Sequence, residues 1–387
     1  MTKQLPLKAS ITCSYSLDEP VIKNRIEPLI KALVNAKYCV QLVNPKHIKD
    51  QFIIENNFIH TPLDVLQPNK SYGVFRLFRE IYLSIYLLVK TKKIIYSDIS
   101  IITIPSMFLL FVSKLYLKNF NGISVLDIRD LTWDYLPDKK ISRIFKVLFF
   151  YFAKKSVHNF DFYLVTNPLQ RSYLIKNFNI KMEKCFCYSN GISREKYNDL
   201  CELPQKYNNH DYLTISYVGN IGLAQSLDTL IEAAKVLKNV RFNIIGDGSD
   251  FNRIRKLSSE VPNMIFYGQL DWEGIINVYS QSDILWAQIG VNYKNAIPSK
   301  LYEYLAVGVP IIFGGLDAPL RVFKNFEGIT FIQPESYIDL VEAIISNKVF
   351  NQDIYENRIA SNRSLLKKYY FREDLADLAV KFLKDSK

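Results

Sequence analysis

Short apolar segments alternate with amphipathic helical segments along most of the chain, and this alternation constrains the fold more than any other feature. The segment between the first two apolar runs repeats its apolar residues at a period of 3.6, which predicts a helix. Strands that alternate with helices predict a parallel sheet with helices on both faces. In the first half the predicted strands are Leu7–Ser14, Cys39–Val43, Ile99–Ile104, Ile123–Ile128, Phe162–Thr166 and Lys184–Tyr188.

A second alternating series begins after a polar segment without periodicity, residues 198–211, which we interpret as a linker. Its predicted strands are Leu213–Val218, Val240–Ile245, Met264–Tyr267, Ile284–Trp286 and Pro310–Phe313, and its predicted helices are Leu227–Leu237, Phe251–Ser259, Trp272–Ser280 and Ser299–Val307. The predicted fold class is therefore α/β, with two doubly wound Rossmann-like domains, residues 1–200 and 211–370, facing a cleft. The C-terminal helix, residues 371–387, could return to the first domain.

Two glycine loops follow successive strands of the second series. Glycine lets the backbone approach a ligand closely, and the helix that follows offers free N–H groups and a positive dipole end to phosphate. Tight strand-to-helix turns without a ligand are the alternative. The residues of these loops that we predict to bind a phosphate-bearing ligand are Gly219, Asn220, Gly222, Gly246, Asp247 and Gly248.

A third loop leads into a helix that carries a cation and a carboxylate. Pro298 and Ser299 suit a helix start. Glu303 can accept two hydrogen bonds from ribose hydroxyls, and Lys300 can offer a cation to a diphosphate. A solvated helix face with ordinary charges is the alternative interpretation.

The run from Tyr217 to Gly314 resembles the donor half of a retaining GT-B glycosyltransferase of family 4. The similar segments are YVGNIGLAQSLDTLIEAAKVL, FNIIGDGSDFNRI, PNMIFYGQLDWEGIINVYSQSDILWAQI and IPSKLYEYLAVGVPII. The first half is similar only through VLDIRDLTWDYLPD and YSNGIS. The resemblance is greatest to bacterial transferases that build O-antigen and capsule repeat units. It implies a hexosyl or aminodeoxyhexosyl transferase that uses a nucleoside-diphosphate sugar, with UDP-sugars favoured, and a lipid-linked saccharide acceptor of the lipopolysaccharide or capsule kind.

Residue roles follow from the same resemblance, which assigns the two glycine loops, Pro298 and Ser299 to binding of the nucleotide-sugar donor. Many family members carry two glutamates eight residues apart; Glu303 matches the second, which binds the donor ribose, and Asn295 stands at the first and could still bond a sugar hydroxyl. The first glycine loop lacks the Arg and Lys that hold the diphosphate in relatives, so Lys300, with Arg321 second, takes this role. The predicted catalytic residues are Lys300, Glu303 and Asp130, and the predicted acceptor-side residues are Asp18, Glu19, Lys23, Arg129 and Asp130.

Metal and cofactor chemistry have little support in the sequence. The four histidines are scattered, the five cysteines form no common zinc spacing, and there is no Asp-x-Asp motif. We therefore predict a metal-independent enzyme without a cofactor.

Positive charge and aromatic residues coincide in two segments, Val74–Lys93 and Lys139–Lys155. Such helices can lie in an anionic membrane interface, whereas buried helices with flanking lysines are the alternative. The net charge is +11, but no nucleic-acid-binding motif is recognisable, so we predict a membrane and no nucleic acid as partner. No apolar run is long enough to span a bilayer and the N-terminus has no signal pattern. We expect a cytoplasmic protein, peripheral on the inner face of the cell membrane.

Two other functions stay open. The missing first glutamate and the missing Arg/Lys pair favour a non-catalytic, membrane-associated scaffold that binds nucleotide sugars. A same-fold sugar-nucleotide epimerase is a smaller alternative. Glu303, Lys300 and the glycine loops favour the transferase.

Overall fold

The chain folds into two units, each built on a parallel sheet. The computed structural model describes residues 7–17, 19–46, 57–64, 74–94, 97–104, 106–134, 140–203, 212–293, 296–315, 317–346 and 352–385. One unit comprises Met1–Asn190 and Arg372–Lys387, and the other Gly191–Phe371. The predicted fold class of two Rossmann-like α/β domains is confirmed, and the cleft between them stays a prediction.

The first unit contains a seven-stranded sheet in the order β3-β2-β1-β4-β5-β6-β7, with all neighbours parallel. Its strands are β1 (Leu7–Cys13), β2 (Tyr38–Pro45), β3 (Phe58–Leu63), β4 (Ile99–Ile104), β5 (Ile123–Ile128), β6 (Phe162–Val165) and β7 (Cys185–Cys187). Its first five helices are α1 (Glu27–Asn35), α2 (Val74–Ile94), α3 (Met107–Leu117), α4 (Lys140–Val157) and α5 (Pro168–Phe178). Strands β1, β4 and β5 are almost wholly buried, as expected for the interior of a parallel sheet.

The second unit contains a six-stranded parallel sheet in the order β10-β9-β8-β11-β12-β13. Its strands are β8 (Leu213–Val218), β9 (Val240–Ile245), β10 (Met264–Gly268), β11 (Ile284–Gln288), β12 (Ile311–Gly314) and β13 (Ile329–Ile332). Its helices are α6 (Arg194–Cys201), α7 (Asp228–Val236), α8 (Phe251–Leu257), α9 (Trp272–Gln281), α10 (Lys300–Val307), α11 (Ala318–Val322), α12 (Tyr337–Ser346) and α13 (Gln352–Tyr369). The last helix, α14 (Arg372–Asp385), belongs to the first unit, where it packs on α1.

Helix α6 lies in the second unit, whereas the predicted first domain included it. The physical reason is a bridge from α13: the Arg363 guanidinium donates to the carbonyl oxygens of Leu200 at 3.3 Å and Ala306 at 3.0 Å. This bridge fixes α6 to α10, and α10 carries two of the predicted site residues.

Within the described ranges, no helix has both the length and the apolar character of a membrane span.

Candidate functional site

The strand order of the second unit creates a crevice at the carboxyl ends of β8 and β11. The chain leaves β8 toward β9 on one side and leaves β11 toward β12 on the other, so the loops diverge between these two strands. The buried Tyr304 hydroxyl of α10 lies in this gap; it accepts from the Val218 N–H at 3.0 Å and can donate to the Trp286 carbonyl at 3.3 Å. The start of α10 is thereby anchored beside the end of β8.

The two glycine loops contact each other at this edge. Gly219 and Gly246 have positive φ angles of 140° and 129°, which L side chains rarely adopt. A Cβ on Gly246 would lie 1.9 Å from the Gly219 carbonyl oxygen, and a Cβ on Gly219 would lie 2.6 Å from Lys300 Nζ. The Ile221 N–H donates to the Asp247 carbonyl at 2.9 Å. Glycine is therefore required for the loops to lie together and for Lys300 to reach them.

Lys300, the first residue of α10, places a buried amine at the centre of the crevice. Its Nζ lies 3.7 Å from the centroid of the Tyr217 ring, and among the described residues it has no hydrogen-bond partner. Burial lowers the pKa of the amine to about 7, and the nearby carboxylate of Glu303 acts in the opposite direction. A cation held in this way is poised to accept an anion, because a buried charge costs free energy until it is paired.

Glu303 lies one turn further along α10, and both of its carboxylate oxygens have partners within the second unit. Lys196 Nζ of α6 is 2.7 Å from Oε1, and the Tyr279 hydroxyl of α9 is 3.3 Å from Oε2. Burial and this carboxylate raise the Tyr279 pKa well above its ordinary value, so the phenol stays a neutral donor. The side chain of Glu303 is 14% exposed, which leaves part of the carboxylate open to a further hydroxyl donor.

The other residues that we predict to bind the donor lie at the same edge of the second sheet and differ in exposure and in hydrogen bonding. Asn220 is exposed and bonds Gln225 at 3.2 Å, and the Asp247 carboxylate accepts from the Gly248 N–H at 2.7 Å. The Gly222 N–H donates to the Gln225 side-chain oxygen at 3.1 Å. Their contact with a donor stays a prediction.

The predicted helix start is displaced by one residue. Ser299 is the N-cap of α10 without a side-chain cap bond, and Pro298 precedes it. Arg321, the second choice for a diphosphate cation, is exposed on α11. Asn295 lies outside the described residues.

The acceptor-side predictions fall in the first unit, at the carboxyl edge of its sheet. Arg129 follows β5 and donates from Nη1 to the Tyr15 hydroxyl at 2.6 Å, with its guanidinium 5.1 Å from that ring. Asp130, beside it, and Tyr15 help to raise the pKa of Arg129 against the opposing effect of burial. Glu19 accepts from the Ser16 N–H at 3.1 Å.

Lys23 is exposed on the short turn that precedes α1, and Asp18 lies outside the described residues. The structure thus brings Arg129 and Asp130 together through adjacent positions after β5, and it leaves Lys23 in solvent.

Several contributors to the site were not predicted, among them Tyr217, whose ring lies below the Lys300 amine. Lys196 and Tyr279 hold Glu303, and the Trp272 ring lies 4.2 Å below the Lys196 ammonium. Lys196 is separated from Glu303 by 107 positions, so no local spacing could connect them. The sequence does contain one signal for Tyr279, because a tyrosine on the buried side of a predicted helix needs a polar partner for its hydroxyl.

An exposed apolar stripe runs along α4 in the first unit. The stripe consists of Ile144, Phe145, Val147, Leu148, Tyr151 and Phe152, which are between 45% and 64% exposed. Their spacing places them on one side of the helix, while Phe149 and Phe150 turn toward the core. Lys154 and Lys155 end the stripe and Arg143 begins it, all exposed. Some aromatic residues of α4 therefore pack on the core and others are exposed, and contact of the exposed ones with a membrane stays a prediction.

Known proteins resemble the chain in sequence and in fold. Residues 202–363 match the family model of glycosyl transferases group 1. The matched residues lie within the second unit. The chain is 29% identical over 175 residues to the putative colanic acid biosynthesis glycosyl transferase WcaI of Escherichia coli K12. This match covers 42% of the chain and 42% of WcaI, so less than half of that relative is matched.

Solved structures resemble the whole chain in fold. Sucrose-phosphate synthase from Thermosynechococcus elongatus has a TM-score of 0.76 at 16% identity, covering 98% of each chain. HepE from Anabaena, solved in complex with UDP-glucose, has a TM-score of 0.70 at 12% identity and covers 98% of this chain and 100% of its own. These likenesses establish the fold shared with the glycosyl transferases, while assignment to family 4 and retention of configuration stay predictions.

Proposed function

We propose that this protein is a retaining, metal-independent glycosyltransferase that moves a sugar from a nucleoside diphosphate, with UDP favoured, to a lipid-linked saccharide in cell-surface polysaccharide biosynthesis. The observation that carries the proposal is the buried amine of Lys300, which lies beside the glycine loops at the crevice of the second sheet. WcaI is named for colanic acid biosynthesis and HepE binds UDP-glucose, which supports the substrate class.

The chemistry needs little from the protein beyond charge placement. The bond from the sugar C1 to the diphosphate oxygen breaks, the acceptor oxygen forms a bond to C1 on the same face, and the acceptor proton passes to the leaving phosphate. Negative charge grows on the diphosphate as the bond breaks, and Lys300 and the N–H groups of the glycine loops stabilise it there. Glu303 accepts hydrogen bonds from the ribose hydroxyls.

The first unit binds the acceptor in this proposal. Arg129 and Asp130 stand after β5, where a parallel sheet presents its ligands. Asp130 serves as a group that orients or polarises the acceptor hydroxyl.

Transfer is tested directly by labelled sugars. Membranes that carry the lipid acceptor are incubated with the protein and a panel of radiolabelled UDP-, GDP- and dTDP-sugars, and the lipid fraction is counted. We expect label from one donor, and less with Lys300→Met. Binding of a donor without any transfer would favour the non-catalytic scaffold instead, and conversion of the free sugar nucleotide would favour the epimerase.

We further propose that the α4 stripe lies in the anionic interface of the inner membrane face. Exposed apolar side chains bury area in the interface, and each nearby cation adds about 1 kcal/mol at an anionic surface. Contiguous exposed apolar patches of this size on a globular protein mark interaction sites.

Vesicle sedimentation tests the membrane proposal. Binding should rise with anionic lipid and fall, without vanishing, as salt increases. Changing Arg143, Lys154 and Lys155 to Gln should remove most of the salt-sensitive part, and changing Phe145, Tyr151 and Phe152 to Ser should remove the rest. A protein that stays in the supernatant with anionic vesicles at low salt would contradict the proposal.

A further inference from the structure

Lys300 and Glu303 occupy positions i and i+3 of the same helix, yet they do not pair. Opposite charges at this spacing are neighbours on a helix surface and normally attract each other. Here the Glu303 carboxylate is engaged by Lys196 and Tyr279, and no partner within the described part of the chain bonds the Lys300 amine. Another interaction of Glu303 must therefore be more favourable than its ion pair with Lys300.

Lys196 provides this interaction with Glu303. Lys196 lies between the Glu303 carboxylate at 2.7 Å and the face of the Trp272 ring, whose centroid is 4.2 Å away. The Trp272 indole N–H donates in turn to the Asp199 carboxylate at 2.7 Å, which ties α9 to α6. Stacking on an aromatic face reduces the freedom of the lysine chain, so less entropy is lost when it bonds Glu303.

We propose that Lys196 is a positioning residue that holds Glu303 away from Lys300 and so keeps the Lys300 ammonium available for the diphosphate of the donor. This inference rests on the proposed function for the identity of the anion, but the arrangement of the three charges does not depend on it. Lys196 has a second effect, because it also orients the Glu303 carboxylate that we assign to the ribose.

Among the groups around the Lys300 amine, Glu303 carries the negative charge that determines whether the amine is protonated. These groups are Glu303 from α10 and Tyr217 from β8, with Tyr304 of α10 acting on Tyr217 and, through Glu303, Tyr279 from α9 and Lys196 from α6. Burial raises the pKa of all three tyrosines above their ordinary value, so each stays neutral. When Lys196 is removed, the freed carboxylate has Lys300 as its nearest helical neighbour of opposite charge.

The first arm of the test needs no ligand. The whole protein is labelled with 13C at the lysine ε-carbons, Lys300 is assigned by the loss of its signal in Lys300→Met, and its titration is followed by NMR. In Lys196→Met the pKa of Lys300 should rise, because Glu303 then pairs with the ammonium. In Lys196→Met/Glu303→Gln it should return to the wild-type value or below. A purely structural role of Lys196 predicts no change of this titration in the single variant.

The second arm uses inorganic pyrophosphate, which has no ribose, in calorimetric titrations at pH 6. Lys196→Met should bind it about tenfold more weakly than wild type, which is the effect of losing one good charge pairing. The double variant should regain wild-type affinity, because the competing carboxylate is gone. Lys235→Met is the matched control, since this lysine pairs with Glu232 on the surface of α7 at 2.7 Å and should change nothing.

The two arms separate the failures. If Lys196→Met leaves the Lys300 titration unchanged, or if the double variant binds pyrophosphate no better than the single one, the inference is wrong. If wild type binds neither pyrophosphate nor any nucleoside diphosphate, the proposed function is wrong, and the NMR arm still decides whether Lys196 separates the two charges.

Discussion

Each unit buries a cation near the carboxyl edge of its sheet, and the two cations are treated in opposite ways. In the first unit Arg25 is 3% exposed and donates from Nε and Nη2 to Asp127, at 3.0 and 2.5 Å, while Nη1 donates to the Tyr188 carbonyl at 2.6 Å. In the second unit Lys300 faces a tyrosine ring, and none of the described residues bonds its amine. One cation has its charge balanced inside the fold and the other does not.

The difference separates a structural cation from a candidate binding cation. A guanidinium that is fully paired joins the start of α1 to β5 and to the segment after β7, and it offers nothing to a ligand. A lysine that is buried without an anion destabilises the folded state, and natural chains keep such costs mainly at functional sites. The comparison predicts opposite effects on stability. Removing the charge of Asp127, the partner of Arg25, should destabilise the fold, whereas removing the charge of Lys300 should stabilise it.

The largest effect is expected at the paired cation. Asp127→Asn leaves the Arg25 guanidinium buried against a neutral amide, so the free energy of unfolding should fall by about 3–5 kcal/mol. Urea denaturation measures this change. Asp228→Asn is the control, because its partner Arg253 is 44% exposed and such a surface pair contributes about 1 kcal/mol or less. Equal losses in the two variants would mean that the Arg25–Asp127 pair is not structurally important.

The second prediction concerns stability at Lys300 and has the opposite sign. Its pKa is about 7 in the folded protein against an ordinary value of 10.5. Below pH 7 the charged amine destabilises the fold fully; between pH 7 and 10.5 the folded state releases the proton while the unfolded state keeps it, so wild-type stability rises. Lys300→Met should therefore be more stable than wild type at pH 6 and should lose most of this advantage by pH 10. An advantage of the same size at pH 6 and pH 10 would contradict the buried-charge explanation.

The third prediction concerns Glu303, the carboxylate that Lys196 bonds. Glu303→Gln should keep the fold and weaken nucleoside diphosphate binding by about 2 kcal/mol, because a charged acceptor of the ribose hydroxyls becomes a neutral one. Pyrophosphate binding should stay the same or tighten, since the ribose is absent. Calorimetry with both ligands measures the difference, and equal nucleotide affinity in the two proteins would remove Glu303 from the ribose site.

The sequence was sufficient for most of the scaffold because buried parallel strands are short segments rich in apolar residues that alternate with helical segments. Strands β4, β5, β8 and β9 begin and end at the predicted residues. Strand β3 was missed because His60 and Pro62 interrupt it, and β13 because its four residues are too short to show a pattern.

The candidate site was accessible from sequence only in part. Lys300 and the glycine loops could be selected because each follows a strand locally. The ring below Lys300 and the lysine that engages Glu303 come from β8 and α6, which are distant in the chain, so only the folded structure brings them together. Residue type and spacing carry no information about which of two nearby charges will be paired.

The most direct test of the account is the titration of UDP, GDP and dTDP into wild type and Lys300→Met at pH 6 and pH 9. We predict that wild type binds one of the three more tightly at pH 6, where the amine is charged, and that Lys300→Met binds this nucleotide weakly with no comparable dependence on pH. Equal affinity of the two proteins at pH 6 would contradict the claim that the buried Lys300 amine receives the donor diphosphate.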